Sequence, residues 1–286
     1  MSTKAKNEDH SGAEFAVRWL LRSPMVKLHD TNCRGTCRHQ SAEEHTQSTQ
    51  LVFPYRGVYV RHVGYDATVG EANQVLFFNA MEGYTVSHPV DGGDASLTLI
   101  LDPSYLLEVA SRDLLRDGPE VAFRHKRMRI DAETQVLVAR LRYNLREGIA
   151  EPLEAESLAL TLVRRSLGPR TAKQPASYGR RRFVDRIKLV LASDLTRRWT
   201  LTEVAAEVKG SPVYLTQVFQ QVEGVPLYRY QLNMRLARAL DLLGKYDDLT
   251  VLGLDLGFSS HSHFSAAFRR FYGLTPSEFR KSATRR

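Results

Sequence analysis

Cysteine is nearly missing from this chain: its 286 residues hold two, Cys33 and Cys37. Two thiols so close together exclude a disulfide framework and fit a reducing compartment. No apolar run approaches the roughly 20 residues needed to span a bilayer, so a helical membrane protein is excluded. The first dozen residues are polar and lack the basic start and apolar stretch of an export signal, so a cytoplasmic location is expected. What remains is an ordinary globular composition, 43% hydrophobic and 25% charged, in a chain long enough for two domains.

Net acidic charge is also missing, and unevenly so. The chain carries +8, and residues 178–286 hold 18 basic against 10 acidic side chains. The 22 basic and 22 acidic residues before position 178 cancel. The whole excess therefore lies in the last 109 residues. A basic terminal segment on a neutral partner points to a polyanion, with nucleic acid first.

Texture divides the chain further, into an α+β whole. Residues 1–30 read as a poorly ordered N-terminus with a short helix around 15–22. Short β-branched and aromatic runs at 51–55, 58–62, 74–79, 84–88 and 96–101 alternate with turn signals such as Asp91-Gly92-Gly93-Asp94, which favours a sandwich or barrel. Helical periodicity comes next. Asp102-Pro103 opens one segment, Asp131 opens another that ends at Gly148, and 153–167 is a third. Their apolar stripe, with Val136, Leu137, Leu141, Leu145, Leu158, Leu162 and Leu167, exceeds what a small barrel should cover, so a homodimer through 130–167 is expected. Residues 168–180, rich in Gly and Pro, read as a linker.

Beyond the linker the sequence repeats itself. Leu201, Val204, Ala205 and Val208 recur 48 residues on as Leu249, Leu252, Gly253 and Leu256. Ser211, Leu215, Phe219 and Gly224 recur 49 residues on as Ser260, Phe264, Phe268 and Gly273. Each unit, 201–222 and 249–271, spells a short helix, a tight turn and a longer helix, the helix-turn-helix pattern. Thr200 with Glu203 is a capping box, and Ser211-Pro212 an N-cap with first-turn proline. Small residues, Ala205 and Gly253, fall where the two helices of a unit must cross. With Leu215, Phe219, Phe264 and Phe268 inward, Val213, Thr216, Gln217 and Gln220 face outward on the first long helix. His261, Ser262, Ser265 and Arg269 do so on the second. Such side chains suit major-groove readout. A long helix over about 226–245 joins the units and would present both to successive grooves.

These residues carry a resemblance. The segment 183–281 resembles the C-terminal domain of the AraC/XylS family of bacterial transcription regulators. The match runs through Ser211-Pro212-Val213-Tyr214-Leu215, Met234-Arg235-Leu236-Ala237, Gly257-Phe258, His263-Phe264, Phe268-Arg269-Arg270 and Gly273-Leu274-Thr275-Pro276-Ser277-Glu278-Phe279-Arg280. The resemblance implies a DNA-binding domain at 181–283. Its base-reading positions fall on Val213, Thr216 and Gln217, then on His261, Ser262, Ser265 and Ala266. Arg269 and Arg270 are expected on phosphate. Gln217 and Ala266 stand where the family often has arginine, so adenine readout by Gln217 replaces guanine readout. The resemblance also implies that 31–167 is a cupin-like sensor and dimerisation domain. Double-stranded DNA, a small-molecule effector and RNA polymerase are the partners it suggests.

Other chemistry is thinner. Cys33, Cys37, His39 and His45 cluster in sequence but lack paired Cys-x2-Cys spacing, so no metal, cofactor or catalytic residue is expected. His62 and His88 lie in apparent strands, and structural hydrogen bonding is expected of them. Residues 124–129 form a basic run expected to be a solvated face. A cupin-type metal enzyme with a DNA-binding appendage is the alternative. The lack of His-x-His in the strand-rich region argues against it.

Overall fold

A computed structural model describes residues 15–35, 38–118, 120–168 and 177–284. The N-terminal half is built on two antiparallel sheets. Strands β1 (Phe15–Arg22), β2 (Val26–Cys33), β3 (Gln50–Arg56), β4 (Tyr59–Val63), β5 (Asp66–Gly70), β6 (Gln74–Phe78), β7 (Thr85–Ser87), β8 (Asp94–Leu101) and β9 (Arg127–Arg129) succeed one another in chain order. Six form one sheet in the order β1-β2-β8-β3-β6-β9, and three form a second, β5-β4-β7. The result is an open, cupin-like pair of sheets, not a closed barrel.

Period-two alternation sets the two faces of the larger sheet. Val26 and Leu28 on β2, Leu51 and Phe53 on β3, Val75 and Phe77 on β6, and Leu97, Leu99 and Leu101 on β8 enter one core. Helices α1 (Pro103–Val109), α2 (Ala132–Arg146) and α3 (Pro152–Leu167) cover it, supplying Leu106, Val138, Leu141, Ala159, Leu162 and Val163. The opposite face carries Val52, Leu76 and Phe78, packed with Tyr59 of the smaller sheet.

One expectation fails here and another is narrowed. Residues 15–33 are paired strands, because β2 adds to β8 over its full length and β1 adds to β2. The 15–22 stretch lacks a capping residue in front of it and alternates enough to pair as an edge, so no helix forms. Much of the apolar stripe of 130–167 is covered within the chain: Leu141, Leu162 and Leu167 are buried, and Leu137, Leu145 and Leu158 are partly buried against the same core. Val136 packs against the C-terminal helices. The apolar face left for a second copy is narrower than expected, formed by the partly exposed Leu137, Leu145 and Leu158 and the exposed Leu153.

The C-terminal half is helical: α4 (Tyr178–Ser193), α5 (Leu201–Glu207), α6 (Pro212–Glu223), α7 (Leu227–Leu242), α8 (Leu249–Asp255), α9 (His261–Tyr272) and α10 (Pro276–Thr284). Because α4 starts at Tyr178, the last residues of the expected linker are helical, and positions 169–176 lie outside the described residues. One core joins α4, α5, α6 and the start of α7 to Val58, Val60 and Val69 of the sheets. Another joins the rest of α7 to α8, α9 and α10, with Ala139 of α2.

Candidate nucleic-acid interface

Local chemistry builds each helix-turn-helix unit. Thr200 accepts from the Glu203 amide while the Glu203 carboxylate accepts from Thr200, so α5 starts on a complete capping box. Ser211 caps α6 by accepting from the Tyr214 amide at 3.2 Å, with Pro212 in the first turn. Gly224 ends α6 and Gly273 ends α9, both left-handed, which glycine adopts without strain. Ser260 caps α9 through the His263 amide at 3.1 Å. The crossing of α8 over α9 is tight: a β-carbon at Gly253 would lie 3.1 Å from Cβ of Phe264. The small residue there is thus a packing requirement of the second unit.

The inward residues are fully buried: Leu215 and Phe219 in the first unit, Phe264 and Phe268 in the second. Val213, Gln217 and Gln220 are exposed on α6, with Thr216 half-buried and donating to the Val213 carbonyl at 2.9 Å. On α9, His261, Ser262, Ala266, Arg269 and Arg270 are exposed and Ser265 is half-buried beside His261. Gln217 lies exposed in the middle of α6.

Helix α7 spans 16 residues, roughly 24 Å at 1.5 Å per residue. Tyr230, Met234 and Ala237 on its inner side are buried. Its Arg235 performs a task that the sequence pattern did not assign. The guanidinium donates to the carbonyls of Leu195, Thr196 and Arg197 before the first unit, and to that of Gly257 in the turn of the second. One side chain thus holds loops from both units. Gly257 is left-handed, and a β-carbon there would lie 2.7 Å from the Thr196 carbonyl oxygen, so its turn must be glycine for the loops to approach. Arg235 sits in the Met-Arg-Leu-Ala run, where its recurrence in a family motif was the only sequence signal.

The basic run at 124–129 departs from the expected solvated face. Arg124 pairs with exposed Asp117, but Lys126 meets Glu82 at 2.7 Å. Arg127 reaches Asp185 of α4 at 2.8 Å, and Arg129 pairs with Glu223 of α6 at 3.3 Å. Beside them Lys188, fully buried on α4, lies 3.4 Å from Glu71 and 2.8 Å from Glu223. Burial opposes ionisation of Glu223, yet the Lys188 and Arg129 charges hold its carboxyl below the usual range. A second link runs through α2: Arg142 meets Asp241 of α7 at 2.8 Å. Tyr272 of α9 donates to Gln135, whose amide donates to Asn73 in the loop before β6. Both recognition helices are therefore tied to the sheet domain by buried polar contacts.

Between the sheets lies a cavity of about 390 Å³, lined among others by His29, Thr31, Val52, Tyr59, Phe78, Tyr84, Ser96 and Thr98. Alternation in β2 and β8 turns these polar residues away from the apolar core. His29 is pushed down to about 4 by burial, so its ring stays neutral near pH 7. His62 meets Ser87 at 2.9 Å, and His88 meets Asp94 at 2.7 Å. His39 and His45 are exposed, and Cys37 lies outside the described residues.

The comparisons with known proteins converge on the C-terminal region. A helix-turn-helix domain profile matches residues 204–282. The transcriptional regulator ArgR of Pseudomonas aeruginosa is 36% identical over 93 residues, 32% of this chain and 28% of ArgR. The transcriptional activator FapR of Escherichia coli is 31% identical over 98 residues, 34% of this chain and 37% of FapR. The matches thus span about a third of these relatives' own lengths. Among solved structures, a transcriptional regulator with an AraC-type DNA-binding domain from Chromobacterium violaceum is 27% identical over 38% of this chain and 98% of its own, with a TM-score of 0.36. ToxT from Vibrio cholerae is 12% identical over 96% of this chain and 100% of its own, also at 0.36. The fold and the exposed helix pair define a helix-turn-helix protein. Residues 204–282 match that domain and are similar to the AraC/XylS type of it.

Proposed function

We propose that the chain is a sequence-specific DNA-binding transcription regulator that reads two major-groove segments through α6 and α9. The observation that carries this reading is the pair of capped, exposed recognition helices fixed to one rod, α7, with Arg235 bracing both. The base-reading set is Val213, Thr216, Gln217 and Gln220 on α6, and His261, Ser262, Ser265 and Ala266 on α9. Arg269 and Arg270 serve the phosphates. The sheet cavity, of a size for a small molecule, is the proposed effector site. RNA polymerase is the further partner that regulation at a promoter would involve.

The test is genome-wide occupancy of the tagged full chain, then binding to a recovered site across a salt series. A shared sequence element and a steep loss of affinity with salt are expected, because phosphate neutralisation releases counterions. Occupancy without any common element would leave only non-specific binding and sink the reading.

A further inference from the structure

The wall of the cavity holds a cluster that the DNA-binding reading does not use. Cys33 ends β2, Asp94 begins β8, and the two are register partners across the sheet. His88 comes directly after β7 on the facing sheet. One ligand atom from each, the Cys33 thiol, a His88 ring nitrogen and an Asp94 carboxylate oxygen, lie within 4.8 Å of one another. His88 and Asp94 are 4% and 6% exposed, and all three border the cavity.

Two glycines make this convergence feasible. Gly35 and Gly93 are both left-handed. A β-carbon at Gly35 would lie 2.7 Å from Cα of Gly93 and 3.2 Å from the His88 ring, and one at Gly93 would collide with the Cys33 carbonyl. Only bare backbone lets the ends of β2 and β8 approach this closely. The Gly35 amide donates to the Cys33 sulfur at 3.4 Å.

From this geometry we propose that Cys33, His88 and Asp94 form a binding site for a borderline-soft divalent ion of the zinc class. Sulfur, imidazole and carboxylate are the donor set such ions take. Bonds of roughly 2.0–2.3 Å place tetrahedral ligand atoms about 3.3–3.8 Å apart, so the cluster closes on the ion with side-chain shifts of an ångström or less. A thiolate and a carboxylate balance the charge of a dication held away from water. Binding displaces the thiol proton and breaks the hydrogen bond between His88 and Asp94, so affinity rises with pH. Three protein ligands leave one position for water or for a donor atom of a molecule in the cavity. The proposal is independent of the DNA-binding reading and concerns binding only.

The test is cobalt titration of chelator-treated full-length protein carrying Cys37→Ser, so that a single thiol reports. One equivalent of cobalt with a thiolate charge-transfer band is expected. His88→Ala should weaken binding by roughly 100-fold, the upper end of what losing even a supporting residue does at a metal site. Asp94→Asn, which keeps an acceptor for His88 and so protects against misfolding, should also weaken it. Zinc should displace the cobalt. The proposal is overturned if the Cys37→Ser protein shows no band, or if both variants bind cobalt as tightly as their parent.

Discussion

At the scale of single residues, the proposed readout positions separate by chemistry. Gln217 is exposed on α6 with a free carboxamide, a group that can bridge two positions of an adenine edge. Gln217→Ala is expected to cost about 1–3 kcal/mol at one base position and to flatten preference there. Arg270, exposed in the last turn of α9, should act on phosphate. Arg270→Ala should weaken binding across all sequences and reduce the salt slope by about one. A panel of single-base operator variants, measured with each mutant, separates the two. Reversed effects would exchange the roles. The Ala266 side chain offers no hydrogen bond, so on the proposed reading the half-site under α9 would rest on His261, Ser262 and Ser265.

At the scale of elements, the relative placement of α6 and α9 matters more than either alone. Arg235 connects four carbonyls from two loops. Arg235→Met keeps the buried stem of the side chain and removes every one of those donors. The expected result is a modest loss of stability, about 1–3 kcal/mol for unsatisfied carbonyls, and a larger loss of affinity for a site with both half-sites intact. Affinity for an isolated half-site should change much less. If full-site and half-site binding fall equally, Arg235 supports only folding and does not align the units.

At the scale of the whole molecule, the buried links between sheet domain and recognition helices make one body of the two. Lys188 stands between Glu71 and Glu223 with none of the three open to solvent. Lys188→Met leaves Glu71 without its ion-pair partner and Glu223 with Arg129 alone, and should cost about 3–5 kcal/mol in urea unfolding. Acid should act on the same contacts. Burial resists ionisation of Glu223 and Asp241, but Lys188 and Arg129 in one case and Arg142 in the other hold both carboxyls below their ordinary values of 4.5 and 3.8. Such groups contribute stability that is complete above the ordinary value and lost as pH falls through the folded one. Two losses should therefore be seen in the urea midpoint: one that begins as pH falls through 6.5, where the unfolded chain protonates His29 and the buried ring, held down to about 4, does not, and one below about pH 4 from these carboxyls, and only the second should be shallower in Lys188→Met. An unchanged acid profile in that variant would place the acid-sensitive contacts elsewhere. Because α4 and α6 share a core with Val58, Val60 and Val69, a fragment cut at 178 would also expose apolar surface that the full chain covers.

The helical units, their caps and their outward residues were legible in the chain alone, because they rest on local rules. Ser211 and Ser260 cap the helices that begin one residue later, Gly224 and Gly273 stop those helices, and a 3.6-residue period sets which side chains turn out. The strand pattern of β3, β6 and β8 was legible for the same reason. Other features depend on partners far apart in the chain, and packing of the whole molecule was needed to reveal them. β1 and β2 are strands by virtue of β8, some 70 residues away. Arg127 and Arg129 looked like solvated charge until Asp185 and Glu223 were brought to them. Cys33 had two sequence neighbours with metal-binding chemistry in His39 and His45. Its spatial neighbours are His88 and Asp94, reached because two glycines let separate strands close together. Spacing along a chain encodes what one element does; which elements meet is set by burial of apolar faces over the whole molecule.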